Sequence, residues 1–288
     1  MKVGIITFEQ YHKRKDIGSS YIRVHQLLTY WTEAEVYKFG GQYDVVIYQK
    51  AYWIDHAKSY KGIKILDICD PDFLHWGYKF REMVDLCDGV TTSTVALAKY
   101  VKKLCPEKDV WCIPDRINIK ETNLKKNHAG QGDTKKVAWF GYSENFPILS
   151  SSVTALVQLK IEELIVIANK SLPFELPAGL RGKIRLSNLP WTRETVDQDL
   201  LKADVVINPR LNYGRWKYKS NNKTITAWNL GLPVAHNKDE LEKLMTEGQR
   251  IVEADKRKRE VLLDYDIRKS VNEYKELINL LKAYKEVL

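Results

Sequence analysis

Apolar runs of strand length alternate with helix-length periodic segments along most of the chain, and this pattern restricts the fold more than any other feature. In the first half, runs with the length and composition of strands lie at 2–8, 44–48, 64–68, 89–92 and 110–113. Apolar residues at helical spacing cover 20–31 and 94–104, and Ser93 or Thr94 is the candidate N-cap of the second helix. Alternation of this kind is typical of α/β domains.

A second series of the same kind follows the polar stretch NLKKNHAGQGDTKK, which is the best linker candidate in the chain. Strands are then predicted at 136–141, 164–168, 183–186, 204–208 and 232–236, and helices at 149–160, 194–203 and 223–230. The chain ends in an amphipathic helix predicted over 270–288. We therefore expect two Rossmann-like α/β domains, 1–130 and 131–265, followed by a helical segment, 266–288.

Composition agrees with this division and restricts the class of partner. The chain has 288 residues, against ~100–200 in a typical domain. It has no apolar run of the ~18–20 residues that cross a bilayer and no start like a signal peptide, so we expect a soluble cytoplasmic protein. The net charge of +9 is spread over both halves. It suits anionic partners such as nucleotide-sugars, acidic lipids or nucleic acid, or it is simply a solvated basic surface.

Residues that directly follow strands are the site candidates, because open α/β sheets bind ligands beyond the carboxyl ends of their strands. After the first strand, Gly18 and Ser19 open a helix whose N–H groups suit an anion, or they serve only as a turn and a cap. After the third strand, the run LDICDPDFLHW places Asp70 where a base or a hydroxyl-orienting group is expected, with His75 behind it. A plain Asp-Pro turn is the alternative, and we do not expect Asp70 and Asp72 to hold a metal.

The second half offers similar positions. Gly141 directly follows a strand, which allows backbone to approach a ligand closely, and Tyr142, Ser143 and Asn145 come next. This group is a candidate for contact with a diphosphate or a sugar. Trp191, after another strand, is a candidate to cover a nucleobase, although packing is the more common role of such a residue.

The strongest signal is the basic loop PRLNYGRWKYKSNNK, which contains five cations and no carboxylate and leads into a predicted helix. The cations are Arg210, Arg215, Lys217, Lys219 and Lys223. Positive charge at a helix N-terminus opposes the helix dipole, so a bound anion is the simplest explanation of the loop. Ser220, Asn222 and Thr224 are then further phosphate contacts, whereas a helix cap or a solvated basic loop is the alternative.

Five segments follow one another in a specific order: GSSYIRVHQLL, CDGVTTSTVALAKYV, WCIPDRIN, VAWFGYSENF, and ADVVINPR with SNNKTITAWNLGLPV. In this order they resemble the motifs of glycosyltransferases of the GT-B fold, in particular the family 4 or group 1 class. The last segment carries most of the resemblance, because it is similar to that family's pattern A-D-V, then S-x-x-K-x-x-E-A-x-x-x-G-x-P-V.

The resemblance implies two Rossmann-like domains that face each other across a cleft, with the terminal helix crossing back to the first domain. It also implies a nucleoside-diphosphate sugar as donor substrate, without a metal or another cofactor. Lys223, with Arg210 or Lys219, would stabilise the departing diphosphate, and Ser220 would contribute. Asp70, or Asp16 as second choice, would be the base if the reaction inverts, and no protein base is required if it retains.

Two departures from the family pattern stand out. Thr226 occupies the position of the family's donor-binding Glu, so the usual ribose contact is in doubt. Cys69 stands where the family has a His, a function that His75 or His12 would have to supply. At 288 residues the chain is also short for the class.

The sequence leads us to expect a glycosyltransferase with a hydroxyl acceptor, either a carbohydrate or glycolipid or a hydroxymethylated DNA base. The small size, the charge and the cluster His12-Lys13-Arg14-Lys15 favour DNA. A peripheral membrane contact is left open, and no obligate protein partner is inferred. The alternative is a non-catalytic module that binds nucleotide-sugar or nucleic acid, for which Thr226 is the best evidence.

Overall fold

The computed structural model describes residues 1–169, 175–176 and 178–287, and its contacts divide the chain into two compact units. Unit 1 comprises Met1–Asn118, Gly214–Ser220 and Tyr265–Leu288, and unit 2 comprises Ile119–Tyr213 and Asn221–Asp264. The division between the units therefore falls before the polar stretch 123–136 and not at 130. Part of the basic loop belongs to unit 1.

Unit 1 is built on a six-stranded sheet whose paired strands are all parallel, in the order β2-β1-β3-β4-β5-β6. Its strands are β1 (Val3–Ile6), β2 (Ala34–Val36), β3 (Val45–Gln49), β4 (Ile63–Ile68), β5 (Gly89–Thr92) and β6 (Asp109–Cys112). The five predicted strands are confirmed to within two residues at each end. They read as continuous apolar runs because strands of a parallel sheet are covered on both faces. The sequence did not reveal β2, whose three residues are only half buried.

The helices of unit 1 up to residue 118 are α1 (Phe8–His12), α2 (Gly18–Ser20), α3 (Gln26–Leu28), α4 (Ile54–Ser59), α5 (Phe73–Leu86) and α6 (Val95–Leu104). A π-helical turn, Tyr21–His25, joins α2 to α3 and completes the predicted helix of this region. Thr94 caps α6, because its side chain accepts a hydrogen bond of 3.2 Å from the N–H of Leu97. This settles which of the two candidate caps is used.

Unit 2 is built on a five-stranded parallel sheet in the order β11-β10-β7-β8-β9. The strands are β7 (Lys136–Gly141), β8 (Glu163–Ala168), β9 (Arg185–Pro190), β10 (Val205–Ile207) and β11 (Val234–Ala235). All five were predicted, but β9 begins and ends later than expected. It is an edge strand with partly exposed side chains, so its apolar signal is weak.

The helices of unit 2 are α7 (Phe146–Ser150), α8 (Val153–Gln158), α9 (Val196–Leu200), α10 (Asn222–Asn229), α11 (Lys238–Glu242) and α12 (Glu247–Asp264). The long helix α12 escaped prediction because it is polar and buries only Arg250 and Val261. The buried guanidinium of Arg250 donates hydrogen bonds to Thr134 Oγ1 (2.7 Å) and to the carbonyl of Gly132 (2.6 Å). These bonds fasten the polar stretch 123–136 to unit 2, so it is a fixed part of that unit.

The terminal helix, α13 (Ile267–Val287), returns to unit 1. Its face, including Val271, Tyr274, Ile278 and Leu281, lies in one apolar core with residues of β1, β3 and β4. The amphipathic pattern predicted this face. Within the described part of the chain, no helix combines the length and the apolar character needed to span a membrane.

Candidate functional site

Lys223 and Gly141, two separate site candidates from the sequence, lie close together in unit 2. Gly141 ends β7, and Lys223 lies in the first turn of α10. An ideal Cβ on Gly141 would lie 2.2 Å from Lys223 Nζ, which is closer than any real contact. The same ammonium lies 4.7 Å from the ring centroid of Trp139, over its indole. Only glycine permits this approach, and its φ of +150° is one that other residues rarely adopt.

The N-terminus of α10 is not closed by the side chain that occupies the N-cap position. Asn221 makes no capping hydrogen bond with any described residue. The hydroxyl of Ser220 hydrogen-bonds to the carboxylate of Asp115 within unit 1. The cap interpretation is therefore not supported for Asn221. The positive end of α10 and the Lys223 ammonium form an arrangement that suits an anion.

Thr224 has a supporting position and is not exposed to a ligand. It is buried, and its Oγ1 accepts a hydrogen bond of 3.0 Å from Asn208 Nδ2, just after β10. The carbonyl of Asn208 in turn lies 2.8 Å from Nδ1 of His236. These contacts fix α10 against the ends of β10 and β11. Asn222 and Thr226, by contrast, are half exposed on α10.

The residues after Gly141 form a short turn that is hydrogen-bonded to Asn169. Ser143 donates its N–H to Asn169 Oδ1 at 2.9 Å and begins the 3-10 turn Ser143–Asn145. Tyr142 is exposed, which suits ligand contact. Trp191 is half buried and directly follows β9, and its backbone N–H donates to the carbonyl of Ala168. Asn169 follows β8 directly, a position whose polar residue was overlooked in the sequence.

In unit 1, Asp70 lies between two lysines. Its carboxylate accepts hydrogen bonds of 2.7 Å from Lys50 Nζ and from Lys219 Nζ. Burial alone would raise the pKa of Asp70, but the two ammonium groups outweigh it and hold that pKa well below its usual range. A carboxylate held ionised in this way is a weak proton acceptor, which argues against Asp70 as a base.

Lys50 is an ion-pair partner of Asp70 that the sequence did not suggest. It follows β3 directly, adopts a φ of +52°, and its side chain is only 7% exposed. It also lies 3.6 Å from Asp72 Oδ1. The Tyr52 hydroxyl donates to Asp72 at 2.9 Å, while burial, opposed by Lys50, raises the pKa of Asp72 to about 6. The signal that could have found Lys50 is a charged residue directly after a buried strand.

The other candidates of unit 1 are dispersed. His75 is exposed on α5, Cys69 is buried, and Asp16 is exposed with a φ of +58°. Gly18 and Ser19 begin α2 as predicted. The N-cap residue of α2 is Ile17, whose side chain makes no capping hydrogen bond with a described residue.

The loop cations are divided between the two units. Gly214–Ser220 belongs to unit 1, whereas Arg210 and Lys223 belong to unit 2. The guanidinium of Arg215 lies over the ring of Trp216, and the ammonium of Lys217 lies over that of Tyr218. Arg210 is exposed and follows β10 after Asn208 and Pro209. Lys219 hydrogen-bonds to Asp70, whereas Lys223 lies beside Gly141.

Comparison with known proteins identifies the fold but not a family. No family model matches the chain, and no curated protein matches its sequence. A mutant of S. aureus TarM, solved with fondaparinux, alpha-GlcNAc-glycerol and UDP, matches with a TM-score of 0.59 at 12% identity, over 82% of this chain and 55% of TarM. AviGT4, a glycosyltransferase involved in avilamycin A biosynthesis, matches with a TM-score of 0.56 at 12% identity, over 98% of each chain.

The T4 phage protein BGT, solved with its UDP-glucose substrate, matches with a TM-score of 0.50 at 12% identity, over 99% of each chain. This chain thus spans about half the length of TarM but nearly the full length of AviGT4 and of BGT. The class of structure is therefore clear: the chain has the GT-B fold of these glycosyltransferases. At such low identity, its chemistry has to be inferred from its own residues.

Proposed function

We propose that the chain is a glycosyltransferase that moves a sugar from a nucleoside-diphosphate sugar to a hydroxyl acceptor. The observation that carries the proposal is the approach of Lys223 Nζ to the Gly141 backbone at the N-terminus of α10. A fixed ammonium beside a helix N-terminus provides positive charge where a diphosphate would leave. The GT-B fold supports this interpretation, because AviGT4, which shares the fold, is a glycosyltransferase and BGT has UDP-glucose as its substrate.

In the proposed reaction, the bond between the sugar and the β-phosphate oxygen breaks, and the anomeric carbon bonds to the acceptor oxygen. Negative charge develops on the diphosphate, which takes up the proton of the acceptor hydroxyl. Lys223 stabilises this charge, and the backbone after Gly141 positions the phosphates. Asn222 and Thr226, half exposed on α10, are further donor contacts. We also assign Arg210 to contact with the diphosphate. The proposal requires no cofactor besides the donor.

UDP-sugars are the first donors to test, since the TarM structure contains UDP and the substrate of BGT is UDP-glucose. The acceptor is a carbohydrate or glycolipid, or a hydroxymethylated base of DNA. We assign Asp70 to orientation of the acceptor or of Lys219, because its ion pairs make it a weak base. A cytoplasmic location and action without an obligate protein partner are also part of the proposal.

The test is donor hydrolysis by the purified full chain. UDP-, GDP- and ADP-sugars labelled in the sugar are incubated with the chain, with and without acceptors, and free sugar and product are separated. We expect slow release of sugar from one donor and faster transfer with the correct acceptor. Binding without turnover for every donor and acceptor would instead identify a non-catalytic module.

The same assay tests the assigned site. Lys223→Ala should lower turnover by about 100- to 1,000-fold, the effect of removing one preorganised electrostatic group. Lys243→Ala is the matched control, because Lys243 is an exposed lysine of the same unit. Equal turnover in the two variants would contradict the role of Lys223.

A further inference from the structure

Three aromatic residues follow the carboxyl ends of three adjacent strands in unit 1. Tyr11 comes after β1, Phe39 after β2 and Trp53 after β3. The sheet order β2-β1-β3 makes these strands neighbours, so their following segments meet at one edge. This is the edge at which open α/β sheets bind ligands.

We call the three rings the aromatic ledge (Tyr11, Phe39 and Trp53): Phe39 is exposed, and Tyr11 and Trp53 are half buried against the apolar core. The ring centroids of Phe39 and Trp53 are 5.5 Å apart, and those of Tyr11 and Trp53 are 6.0 Å apart. Phe39 is 72% exposed, although Tyr37 packs against its edge. A single exposed aromatic residue is ordinary, but Phe39 in contact with the half-buried ring of Trp53 at the ligand-binding edge of a sheet indicates a binding surface.

A basic turn lies next to the ledge in sequence and in space. It consists of Lys13, Arg14 and Lys15, which are all exposed and directly follow α1, the helix that carries Tyr11. The ring centroid of Tyr11 lies 5.1 Å from that of His12, the residue that precedes the basic turn.

The basic turn has a defined backbone. Lys13 has a φ of +53°, the N–H of Arg14 donates to the carbonyl of Glu9 at 3.1 Å, and the N–H of Ile17 donates to the Glu9 carboxylate at 2.9 Å. The other carboxylate oxygen of Glu9 lies 2.9 Å from His25 Nε2. Asp16 is the acidic residue that follows the three cations.

Aromatic faces beside clustered cations are the chemistry that binds nucleic acid with unstacked bases. A neutral glycan would use the rings but not the cations. We propose that the aromatic ledge and the basic turn bind a nucleic-acid acceptor, with an unstacked base on Phe39 and Trp53 and phosphates on Lys13, Arg14 and Lys15. The inference rests on the proposed function, because an acceptor has a role only if a sugar is transferred.

Fluorescence anisotropy of a labelled single-stranded oligonucleotide, titrated with the full chain over a series of salt concentrations, tests the proposal. Phe39→Ala should weaken binding by about 5- to 100-fold, as expected for loss of one stacking contact. Log affinity falls as log salt rises, and each phosphate contact contributes ~0.7 to the steepness of this fall. Replacement of Lys13, Arg14 and Lys15 by Ala should therefore make the slope shallower by about 2.

Matched controls separate these effects from general loss of charge or apolar surface. Tyr284→Ala removes an exposed aromatic residue of α13, and joint replacement of Lys99, Lys103 and Lys282 by Ala removes three exposed cations of unit 1. Both controls should bind as the unaltered chain does. Absence of oligonucleotide binding at low salt, or equal losses in ledge and control variants, would overturn the proposal.

Competition by a neutral oligosaccharide acceptor that depends on Phe39 but not on the basic turn would identify a glycan surface and would also overturn it. Donor hydrolysis by the unaltered chain reports separately on the proposed function. Hydrolysis without oligonucleotide binding would reject the ledge alone, whereas ledge-dependent binding without hydrolysis of any donor would reject the glycosyltransferase alone.

Discussion

Lys50 in unit 1 and Lys223 in unit 2 both lie beside the carboxyl end of a parallel strand, yet their surroundings are opposite. Lys50 is buried, and its ammonium pairs with Asp70 and lies near Asp72. Lys223 lies on the indole face of Trp139 and against the backbone of Gly141, in the first turn of α10. The difference is that Lys50 has carboxylate partners within the fold, whereas our proposal assigns the charge of Lys223 to an anionic ligand.

Removal of Lys50 should give the largest loss of stability. Lys50→Met leaves the Asp70 and Asp72 carboxylates without their buried cation, so we expect the free energy of unfolding to fall by about 3 kcal/mol. Urea denaturation measures this change. Lys58→Met, which breaks a surface pair with Glu82, is the control and should cost less than about 1 kcal/mol. Similar losses for both variants would remove the distinction between the two lysine sites.

Gly141→Ala should act mainly on turnover. The added Cβ would overlap Lys223 Nζ, and because a lysine side chain is flexible, the ammonium would move away while the fold persists. We expect donor turnover to fall by about 100-fold, with a loss of stability near 1 kcal/mol from the unfavourable φ.

Gly248→Ala serves as its control, since a Cβ at Gly248 in α12 meets open space. This variant should keep its turnover and gain up to about 1 kcal/mol of stability, because Ala favours helix. A Gly141→Ala protein with normal turnover would show that the position of the Lys223 ammonium does not matter.

The protonation of Asp72, which lies near Lys50, should make the free energy of unfolding depend on pH. Its pKa in the folded chain, about 6, lies above the value near 3.9 of an unfolded chain, so the folded state binds the extra proton between these values. This contribution to stability is therefore present below pH ~4 and is lost as the pH rises through 6. Between pH 4.5 and 6.5 the loss should be about 1 to 2 kcal/mol. Asp72→Asn should remove this component in urea titrations, and an unchanged pH profile would contradict the assignment.

Lys219→Met should have the smallest effect on stability. The Lys219 side chain is 39% exposed, so solvent weakens its pair with Asp70, and we expect a loss below about 1 kcal/mol. Urea denaturation beside Lys50→Met shows the contrast. A loss as large as that of Lys50→Met would mean that both lysines are equally structural.

The fold was largely predictable because buried parallel strands read as apolar runs and their order alternates with helices. The parts that escaped have weak apolar signals, namely the polar helix α12 and the three-residue strand β2. Of the site, Gly141 and Lys223 were both marked in advance, since each has a local signature. Their contact and the pairing of Asp70 with Lys50 were not predictable, because such contacts join side chains that are distant in sequence.

The most direct test of the account is calorimetric binding of a nucleoside diphosphate. UDP, GDP and ADP, with their nucleosides as phosphate-free controls, are titrated into the unaltered chain and into Lys223→Met. We predict that one diphosphate binds and that its affinity falls by about 10- to 100-fold in the variant, as expected for loss of a charge-assisted hydrogen bond. The affinity for the nucleoside should not change. Equal affinity of the diphosphate for both proteins would contradict a diphosphate site at Lys223.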